Sequence, residues 1–422
     1  MVNFQNTLSF AQQLDKEDSL SRFRDAFYLL KKNDKHVIYL CGNSLGLQPK
    51  TVQAAIEQEL KDWAELGVEG HFDGKNPWMY YHHFLTENAA AVVGAKPVEV
   101  VVMNNLTANL HLMMVSFYRP TKTRYKIMME VSAFPSDQYA METQARFHGL
   151  DPDDAIIELT PRAGEYTLRT EDIIAKINAH KDDLAIIIMG GVNYYTGQAF
   201  DMKAITEAAH AVGANVGFDC AHAAGNLHLQ LHDWNVDFAV WCTYKYLNSG
   251  PGGTSGVFVH ERHANNKDLP RFAGWWGHDE KERFQMKKGF KPMQGAAGWQ
   301  LSNAQIFPMA IHKASLELFA QAGMENLRKK SERLTGYLYF ILKDFSEHLT
   351  IITPTNPAER GCQLSIIVKQ NGRKLFDYFV EHNVLPDWRE PDVIRMSPVP
   401  MYNTFEEVYQ IGQILKKYFE IN

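Results

Sequence analysis

Short apolar runs alternate with amphipathic segments through the middle of the chain, from about residue 98 onward. Segments such as DMKAITEAAHAVG separate the runs and have the spacing of apolar positions that is typical of a helix. Near-continuous apolar strands are typical of a parallel sheet that helices cover on both faces. The pattern therefore predicts an α/β fold with these candidate strands: VEVVVMN, YKIMMEV, LAIIIMGGV, ANVGFDCA, VDFAVWCTY and SGVFVHE.

The pattern changes near residue 305. A long helical segment, HKASLELFAQAGMENLRKKSERLTGYLYFILKDF, is followed by strand-like TIITP and CQLSIIV, helix-like GRKLFDYFVEHN, extended VIRMSPVPMYN and a last helix in TFEEVYQIGQILKKYFEIN. This alternation predicts a smaller α+β domain. We expect an N-terminal segment (residues 1–70) that packs with the small domain, a large domain (residues 71–305) and the small domain itself (residues 306–422).

Composition and charge exclude several classes of function. The 422 residues are 45% hydrophobic and 22% charged, as in ordinary globular proteins. A net charge of −6, without a long basic stripe, argues against a nucleic-acid partner. No apolar run approaches the roughly 20 residues that a membrane span needs. The N-terminus lacks a basic stretch followed by a long apolar one, so we expect no secretory signal and a cytoplasmic protein.

The four cysteines, Cys41, Cys220, Cys242 and Cys362, are scattered and form no CxxC pair. We therefore expect neither a zinc site nor a disulfide framework, and no metal. Free buried thiols in a reducing cytosol account for this pattern.

Lys245 stands between two tyrosines in WCTYKYLNSGPGG, after the apolar run VDFAV and before a glycine-rich turn. A lysine is rarely buried unless its charge is paired or neutralised. One chemical route is a Schiff base between the amine and an aldehyde. The other interpretation is a strand-end lysine whose stem lies on apolar surface while its amine reaches water. Lys245 by itself leaves both open.

Asp219 ends the candidate strand in ANVGFDCAHAAGN, and His222 follows shortly after it. In open α/β sheets, ligands lie beyond the carboxyl ends of the strands. An aspartate in an apolar setting needs a cationic partner, because an unpaired buried charge is costly. A protonated pyridine nitrogen would serve, and the pair would make the ring a better electron sink. Alternatively, Asp219 caps the turn that follows.

Two further segments offer groups for a phosphate and an aromatic ring. Leu106 and Thr107 open an apolar helix, where Thr107 is a candidate N-cap and the helix N-terminus is a candidate phosphate site. In VSAFPSDQYA, Phe134 is a candidate for stacking on a ring, with Ser136 and Asp137 hydrogen-bonding around it. The same Pro-Ser-Asp sequence also suits a turn without any function.

Other glycine and aromatic positions are more ambiguous. Gly190, in GGVNYYTGQ, allows a ligand to approach the backbone closely. Tyr195 is a general acid, a phosphate ligand or an ordinary packing tyrosine. Trp275, in AGWWGH, belongs to a tryptophan pair of the kind that usually packs in cores or interfaces. Ser302 and Asn303, in GWQLSN, lie far along the chain from the other candidates.

Together these segments closely resemble the kynureninase family, whose members are pyridoxal 5′-phosphate (PLP) enzymes of the aspartate-aminotransferase-like fold type I. The resemblance covers most of the chain, and its most specific parts are GNSLGLQPK and the block that runs from Asp219 to Lys245. It implies a large domain with a mostly parallel sheet and a smaller C-terminal domain. The matching stretches run in order from about residue 38 to residue 405: YLCGNSLGLQPK, NLTANLHLMMVSFYRPT, RYKIMMEVSAFPSDQYAMETQ, YYTGQAFD, GFDCAHAAGNLHLQLHDWNVDFAVWCTYKYLNSGPGG, GWWGH, RGCQLSI and IRMSPVPMYN.

The resemblance implies roles around the cofactor. Lys245 forms the Schiff base with PLP, Asp219 pairs with the pyridinium nitrogen, and His222 lies beside the ring. Other matching residues surround the ring or the phosphate, and two of them reach across from a neighbouring subunit, which implies a homodimer with shared active sites. Near the ring are Phe134, which stacks on it, Ser136 and Asp137; near the phosphate are Leu106, Thr107, Tyr244 and, from the neighbour, Trp275 and Asn303.

Arg395, in VIRMSPVP, matches the arginine that binds the substrate carboxylate, a task that suits its two-pronged guanidinium. Without the resemblance, an arginine on an apolar strand has no evident role. Gly190 departs from the family pattern, because relatives can carry serine there. One side-chain contact to the phosphate is then absent, and a backbone N–H or a water replaces it.

The implied activity is hydrolytic cleavage of the Cβ–Cγ bond of L-kynurenine or 3-hydroxy-L-kynurenine. The products are L-alanine and anthranilate or 3-hydroxyanthranilate, in tryptophan catabolism and NAD-precursor synthesis. Lys245 removes the Cα proton, and Tyr195 is the candidate acid for Cβ. The substrate is a small molecule, and neither nucleic acid nor a membrane is an expected partner.

Four residues are candidates for binding the substrate ring or chain. His71, in GVEGHFDGKNPW, together with Ser302 and Asn303, resembles the family branch that handles 3-hydroxykynurenine. Ser44, in GNSLGLQPK, is a further candidate. Alternatively, His71 is only a loop histidine, and Ser302 and Asn303 serve the cofactor phosphate alone.

Two other functions are open to a chain of this pattern. A fold type I lyase of the cysteine desulfurase kind needs a mobile nucleophilic cysteine, whereas Cys362 lies in strand-like RGCQLSI. A PLP-binding protein without activity would not need Lys245, Asp219 and Arg395 together.

Overall fold

The computed structural model describes residues 3–264, 266 and 268–421. The α-helices are α1 (Leu8–Lys16), α2 (Val52–Leu66), α3 (His83–Val93), α4 (Leu106–Phe117), α5 (Pro135–Phe147), α6 (Pro152–Ala155), α7 (Thr170–Ala179), α8 (Met202–Ala211), α9 (Glu261–Ala264), α10 (Ile306–Ala322), α11 (Met324–Lys343), α12 (Gly372–Glu381) and α13 (Phe405–Ile421). The strands are β1 (Lys31–Lys32), β2 (Lys35–His36), β3 (Ile38–Tyr39), β4 (Val100–Met103), β5 (Lys126–Glu130), β6 (Ile156–Leu159), β7 (Leu184–Gly190), β8 (Asn215–Asp219), β9 (Phe238–Cys242), β10 (Ser255–Val259), β11 (Leu349–Ile351), β12 (Leu364–Val368), β13 (Val384–Leu385), β14 (Asp387–Arg389) and β15 (Val393–Met396).

Seven strands form the large sheet, in the order β4-β10-β9-β8-β7-β5-β6. β10 runs antiparallel to β4 and β9, while the remaining neighbours are parallel. This confirms the α/β fold class and the mostly parallel sheet that the apolar runs predict. The sequence pattern does not predict β6, because this short edge strand exposes Glu158 and so interrupts the apolar run.

Helices cover both faces of the large sheet. Along β7, Ile186 and Ile188 pack into one apolar cluster, which includes residues of α4 and α5. The intervening Ile187 and Met189 pack into a second cluster, which includes residues of α3, α7 and α8. The strand is apolar at successive positions because neither of its faces meets water.

The long helical pattern after residue 305 forms two helices, α10 and α11, which separate at Gly323. Gly323 has a φ of +76°, a value that favours glycine. The strands that follow form an antiparallel sheet in the order β11-β12-β15-β14, with its own apolar core. α1 adds Ala11 and Leu14 to that core, and β3 pairs with β13. The domain boundaries near residues 70 and 305 stay predictions.

None of the helices within the described ranges combines the length and the apolar character that a membrane crossing requires.

Candidate active site

The candidate site is a cavity at the carboxyl ends of the central strands. Glu130, Gly190 and Asp219 are the last residues of the neighbouring strands β5, β7 and β8, and Gly190 lies opposite Asp219 in the register. Open α/β sheets bind ligands at this edge. The sequence-predicted residues that line the cavity are Leu106, Thr107, Phe134, Ser136, Asp137, Gly190, Asp219, His222, Tyr244 and Lys245.

Lys245 lies in a turn beyond the end of β9, so it follows the strand rather than belonging to it. Its Nζ lies 3.0 Å from Nε2 of His222 and 5.7 Å from the centre of the Phe134 ring. The amine therefore faces the cavity, not open solvent. The GNSLG loop packs directly on this turn, because a Cβ on Gly46 would collide with the Lys245 carbonyl.

His222 is a buried, neutral imidazole beside the lysine. Burial lowers the pKa of His222 well below its usual value, and the charges of Lys245 and Arg395 act in the same direction. A neutral ring that accepts a hydrogen bond at Nε2 carries its proton on Nδ1. That Nδ1 has no hydrogen-bond partner within the described part of the chain.

Two buried carboxyl groups, Asp137 and Asp219, share the floor of the cavity. Burial raises the pKa of both; the Lys245 charge opposes the rise at Asp219, whereas the Asp219 charge adds to the rise at Asp137. Asp219 is therefore the negative member and Asp137 the protonated one. Oδ1 of Asp219 also accepts the Ala221 N–H at 2.7 Å, so Asp219 caps its turn as well as facing the cavity.

These groups fit the PLP that the resemblance implies. Oδ1 of Asp137 and Nδ1 of His222 lack partners among the described groups, and both side chains line the cavity beside the Asp219 carboxylate. Such a set suits the cationic nitrogen and the polar edge of a pyridine ring. Phe134, 40% exposed, offers a ring for stacking and packs edge-to-face on Tyr194, with ring centres 5.3 Å apart.

Two local interpretations of the sequence are wrong. Thr107 is not the N-cap of α4: Asn105 occupies that position, and its side chain accepts the Ala108 N–H at 3.1 Å. Thr107 lies within the first turn, where its hydroxyl and the helix N-terminus still suit a phosphate. The Pro-Ser-Asp sequence is not a simple turn either, since Pro135 begins α5 and holds the first helical position.

Arg395 comes from the small sheet and lies behind Tyr194. Its Nη1 donates to the Tyr194 carbonyl at 2.7 Å, while Nε and Nη2 lie 2.6 and 2.5 Å from Oδ2 of Asp387. Asp387 is its cross-strand neighbour on β14, and Arg395 is 1% exposed. The buried ion pair explains how an apolar strand tolerates this arginine, which stands behind the residues that line the cavity.

The remaining predicted residues lie outside the cavity lining in this single chain. The Tyr195 hydroxyl donates to Asp392 at 3.2 Å, and burial together with the Asp392 charge raises the pKa of Tyr195 to about 12. Nδ1 of His71 lies 3.0 Å from the Val68 carbonyl. The exposed members of the set are Ser44, Trp275, Ser302 and Asn303.

Glu130, Val192, Tyr194 and Ala221 also line the cavity, and sequence reasoning missed them. Glu130 carries the same signal as Asp219, an acidic residue at the end of an apolar strand. Tyr194 offers no comparable signal, because the pair of adjacent tyrosines does not indicate which ring faces the ligand.

The cysteines argue against a desulfurase-type site. Cys362 is buried, and its backbone N–H donates to Oδ1 of Asn226 at 2.9 Å. Burial raises the pKa of the Cys362 thiol to about 12. A nucleophilic cysteine needs the opposite, an accessible thiol with a lowered pKa.

Comparisons with known proteins agree with this geometry. Residues 327–415 match the family model described as "Kynureninase C-terminal domain". A protein of Flavobacterium psychrophilum named Kynureninase is 56% identical over 418 residues, which cover 98% of each chain. One from Myxococcus xanthus with the same name is 57% identical over 98% of this chain and 97% of its own.

The fold also resembles solved structures of more distant sequence. An apo structure of a cysteine desulfurase from Thermococcus onnurineus has a TM-score of 0.75 at 16% identity, with 100% of both chains covered. This likeness shows the fold alone, which is fold type I. The full-length similarity at more than half identity is what defines the family, and on that ground this chain belongs to the kynureninase family.

Proposed function

We propose that this chain is a PLP-dependent hydrolase that cleaves the Cβ–Cγ bond of L-kynurenine or 3-hydroxy-L-kynurenine. The observation that carries the proposal is the Lys245 amine, held 3.0 Å from a neutral His222 in one cavity with the Asp219 carboxylate. The activity and the products, L-alanine and an anthranilate, are those of the family. They belong to tryptophan catabolism and NAD-precursor synthesis.

Different residues of the cavity bind the aldehyde, the ring and the phosphate of the cofactor. Lys245 binds the aldehyde carbon, Asp219 the ring nitrogen, and Phe134 one face of the ring. The first turn of α4, with Thr107, and the Tyr244 hydroxyl hold the phosphate. When bound, PLP supplies an electron sink that acidifies the carbons next to an amino group.

The protein's own groups then position the substrate and move protons. Arg395 binds the substrate carboxylate, and because Asp387 and the Tyr194 carbonyl use three of its five N–H groups, two stay available. Lys245 takes the proton from Cα. Asp219 stays negative opposite the ring nitrogen, which favours charge development there.

Tyr195 supplies the last proton. Water adds to the γ-carbonyl carbon to give a hydrate. One hydroxyl of the hydrate then loses its proton to solvent and re-forms the C=O bond, the Cβ–Cγ electron pair moves to Cβ, and the Tyr195 hydroxyl protonates Cβ. The raised pKa of Tyr195 keeps this proton on the hydroxyl at neutral pH. The hydroxyl then exchanges its hydrogen bond to Asp392 for one to the substrate and donates the proton there.

A homodimer completes the site. Trp275, Ser302 and Asn303 are exposed on residues 268–303, a stretch that we call the exposed segment. It also exposes several large apolar side chains, as interfaces do before they are covered: Phe272, Phe284, Met286 and Phe290. Trp275 and Asn303 reach the phosphate side of a partner's cofactor.

Substrate choice and location follow from weaker features. His71, Ser302 and Asn303 contact the substrate ring and favour its 3-hydroxyl group, while Ser44 contacts the substrate from the GNSLG loop. The protein works in the cytoplasm, a reducing compartment that suits its four free thiols.

The test is a turnover assay with purified, PLP-loaded enzyme. Kynurenine should yield fluorescent anthranilate and L-alanine in equal amounts, and L-cysteine should yield no sulfide. A protein that binds PLP but leaves both kynurenines intact would contradict the proposed reaction, and sulfide release would favour a desulfurase instead.

A further inference from the structure

Glu130 is a third acidic group in the cavity floor. It ends β5 as Asp219 ends β8, with Gly190 of β7 between them. Glu130 is 4% exposed and lines the cavity.

The contacts of Glu130 come from the strand beside it. Its Oε1 and Oε2 lie 3.1 and 3.3 Å from the Gly190 N–H, which they accept. A Cβ at residue 190 would lie 3.0 Å from Oε1, so the absence of a side chain at Gly190 makes room for this carboxyl group. Glu130 and Gly190 therefore form one structural unit.

The cavity holds more acidic groups than positive charges. Asp137, Asp219 and Glu130 face a single lysine, Lys245, and His222 is neutral. The Lys245 charge favours the ionised form of both aspartates. Carboxylates that share a site cannot all ionise.

With Asp137 protonated and the Asp219 charge opposed by that of Lys245, Glu130 is the remaining carboxyl group of the floor. Burial raises the pKa of Glu130 to about 7, the Asp219 charge adds to the rise, and the Gly190 N–H opposes it. The titratable groups that line the cavity with Glu130 come from the elements around it: Asp219 at the end of β8, Asp137 in α5, Tyr194 after β7, and His222, Tyr244 and Lys245 in the turns. On the other side of β5, Glu158 of β6 is exposed to water.

We propose that Glu130 is a second proton-holding residue of the cofactor floor, beside Asp137, partly protonated at neutral pH while the site is empty and ionised once the cationic cofactor ring binds. The inference rests on the proposed function, since it needs PLP with its ring nitrogen at Asp219. A positive charge on that ring would stabilise a nearby carboxylate, so the Glu130 proton would leave for the solvent. Glu130 is a positioning residue, which sets the charge of the floor and does not touch the substrate.

The experiment titrates the apoenzyme, prepared from the holoenzyme, with PLP. Calorimetry at pH 7 in two buffers of different ionisation enthalpy counts the protons exchanged. A group with a pKa of about 7 is half protonated there, so the wild type should release about half a proton per site more than Glu130→Gln does. The ratio of PLP affinities, wild type over Glu130→Gln, should rise about tenfold from pH 6 to pH 8.

Two further variants serve as a control and as a substitute for Glu130→Gln. Glu158→Gln, an exposed neighbour on β6, should exchange as many protons as the wild type does. If Glu130→Gln does not fold, Glu130→Asp is the substitute, because it keeps a carboxyl group on a shorter side chain. The PLP affinity of Glu130→Asp should still rise with pH. The inference would be overturned if wild type and Glu130→Gln released equal numbers of protons and the ratio of their PLP affinities did not change with pH. A PLP affinity of Glu130→Asp that does not change with pH would overturn it as well. Failure of the wild type to bind PLP would instead overturn the proposed function.

Discussion

The cavity floor and the exposed segment contribute to the same proposed site in opposite ways. Glu130 and Asp219 end two strands of one sheet, β5 and β8, which both pair with β7, so backbone hydrogen bonds hold them in position within a single chain. Trp275 and Asn303 stand on the exposed segment, without a sheet around them and with their side chains open to solvent. The floor is therefore held within one chain, whereas Trp275 and Asn303 need the second copy that we propose.

Removing Lys245 should have the largest effect on the floor. Lys245→Ala loses the amine that binds the cofactor and moves the Cα proton, so turnover should fall by about a thousandfold or more. Borohydride should no longer fix PLP to the protein, which mass spectrometry detects. The exposed Lys176→Ala on α7 serves as the control and should behave as the wild type. Near-native turnover in Lys245→Ala would show that the floor is not the catalytic centre.

Neutralising Asp219 tests the floor without dismantling it. Asp219→Asn keeps an oxygen that can accept the Ala221 N–H, so the turn and the fold should persist. Exchange of the Cα proton of bound alanine with solvent deuterium should slow by about a hundredfold. The reason is that Asp219→Asn removes a charge that stabilises the charge developing on the cofactor ring. Exchange at the wild-type rate, measured by NMR, would rule out this role.

Mixing two inactive variants tests whether the exposed segment serves a partner. Lys245→Ala and Asn303→Ala chains should form hybrid dimers in which one of two sites has both residues intact. With random exchange, half of the dimers are hybrids, so about a quarter of the sites should work. Light scattering and a tagged-chain pulldown confirm the dimer and the exchange. Confirmed exchange without recovered activity would mean that each chain builds its site alone.

Substituting His71 should have the smallest effect, on selectivity alone. Its Nδ1 meets the Val68 carbonyl, so it donates there and leaves Nε2 to accept a substrate hydroxyl. His71→Phe removes that acceptor but can keep the edge-to-face packing on Trp78, where the ring centres are 5.2 Å apart. The ratio of kcat/KM for 3-hydroxykynurenine over kynurenine should fall several-fold, because about 1 kcal/mol is lost. An unchanged ratio would leave His71 as a loop histidine.

The apolar pattern was sufficient for most of the large sheet and for the acidic strand end at Asp219. It failed where local rules compete. Both Asn105 and Thr107 can cap a helix, and only the backbone shows that α4 begins at Leu106, directly after Asn105. The pattern does not predict β6, because an edge strand needs fewer apolar residues than a central one. Glu158 interrupts the apolar run of β6, and its side chain stays exposed to water.

The sequence by itself determined which chemical groups this protein has: a lysine after a buried strand, acids at strand ends, an arginine in an apolar strand, and the motifs that mark its family. Only the tertiary structure decided which of them meet. It placed Asp387 against Arg395, made Tyr194 rather than its neighbour Tyr195 line the cavity, and set Glu130 against Gly190. Strand order and register create these contacts, across the adjacent strands β14 and β15 for Arg395 and between strands distant in the chain for Glu130. Sequence patterns report only the environment along one segment.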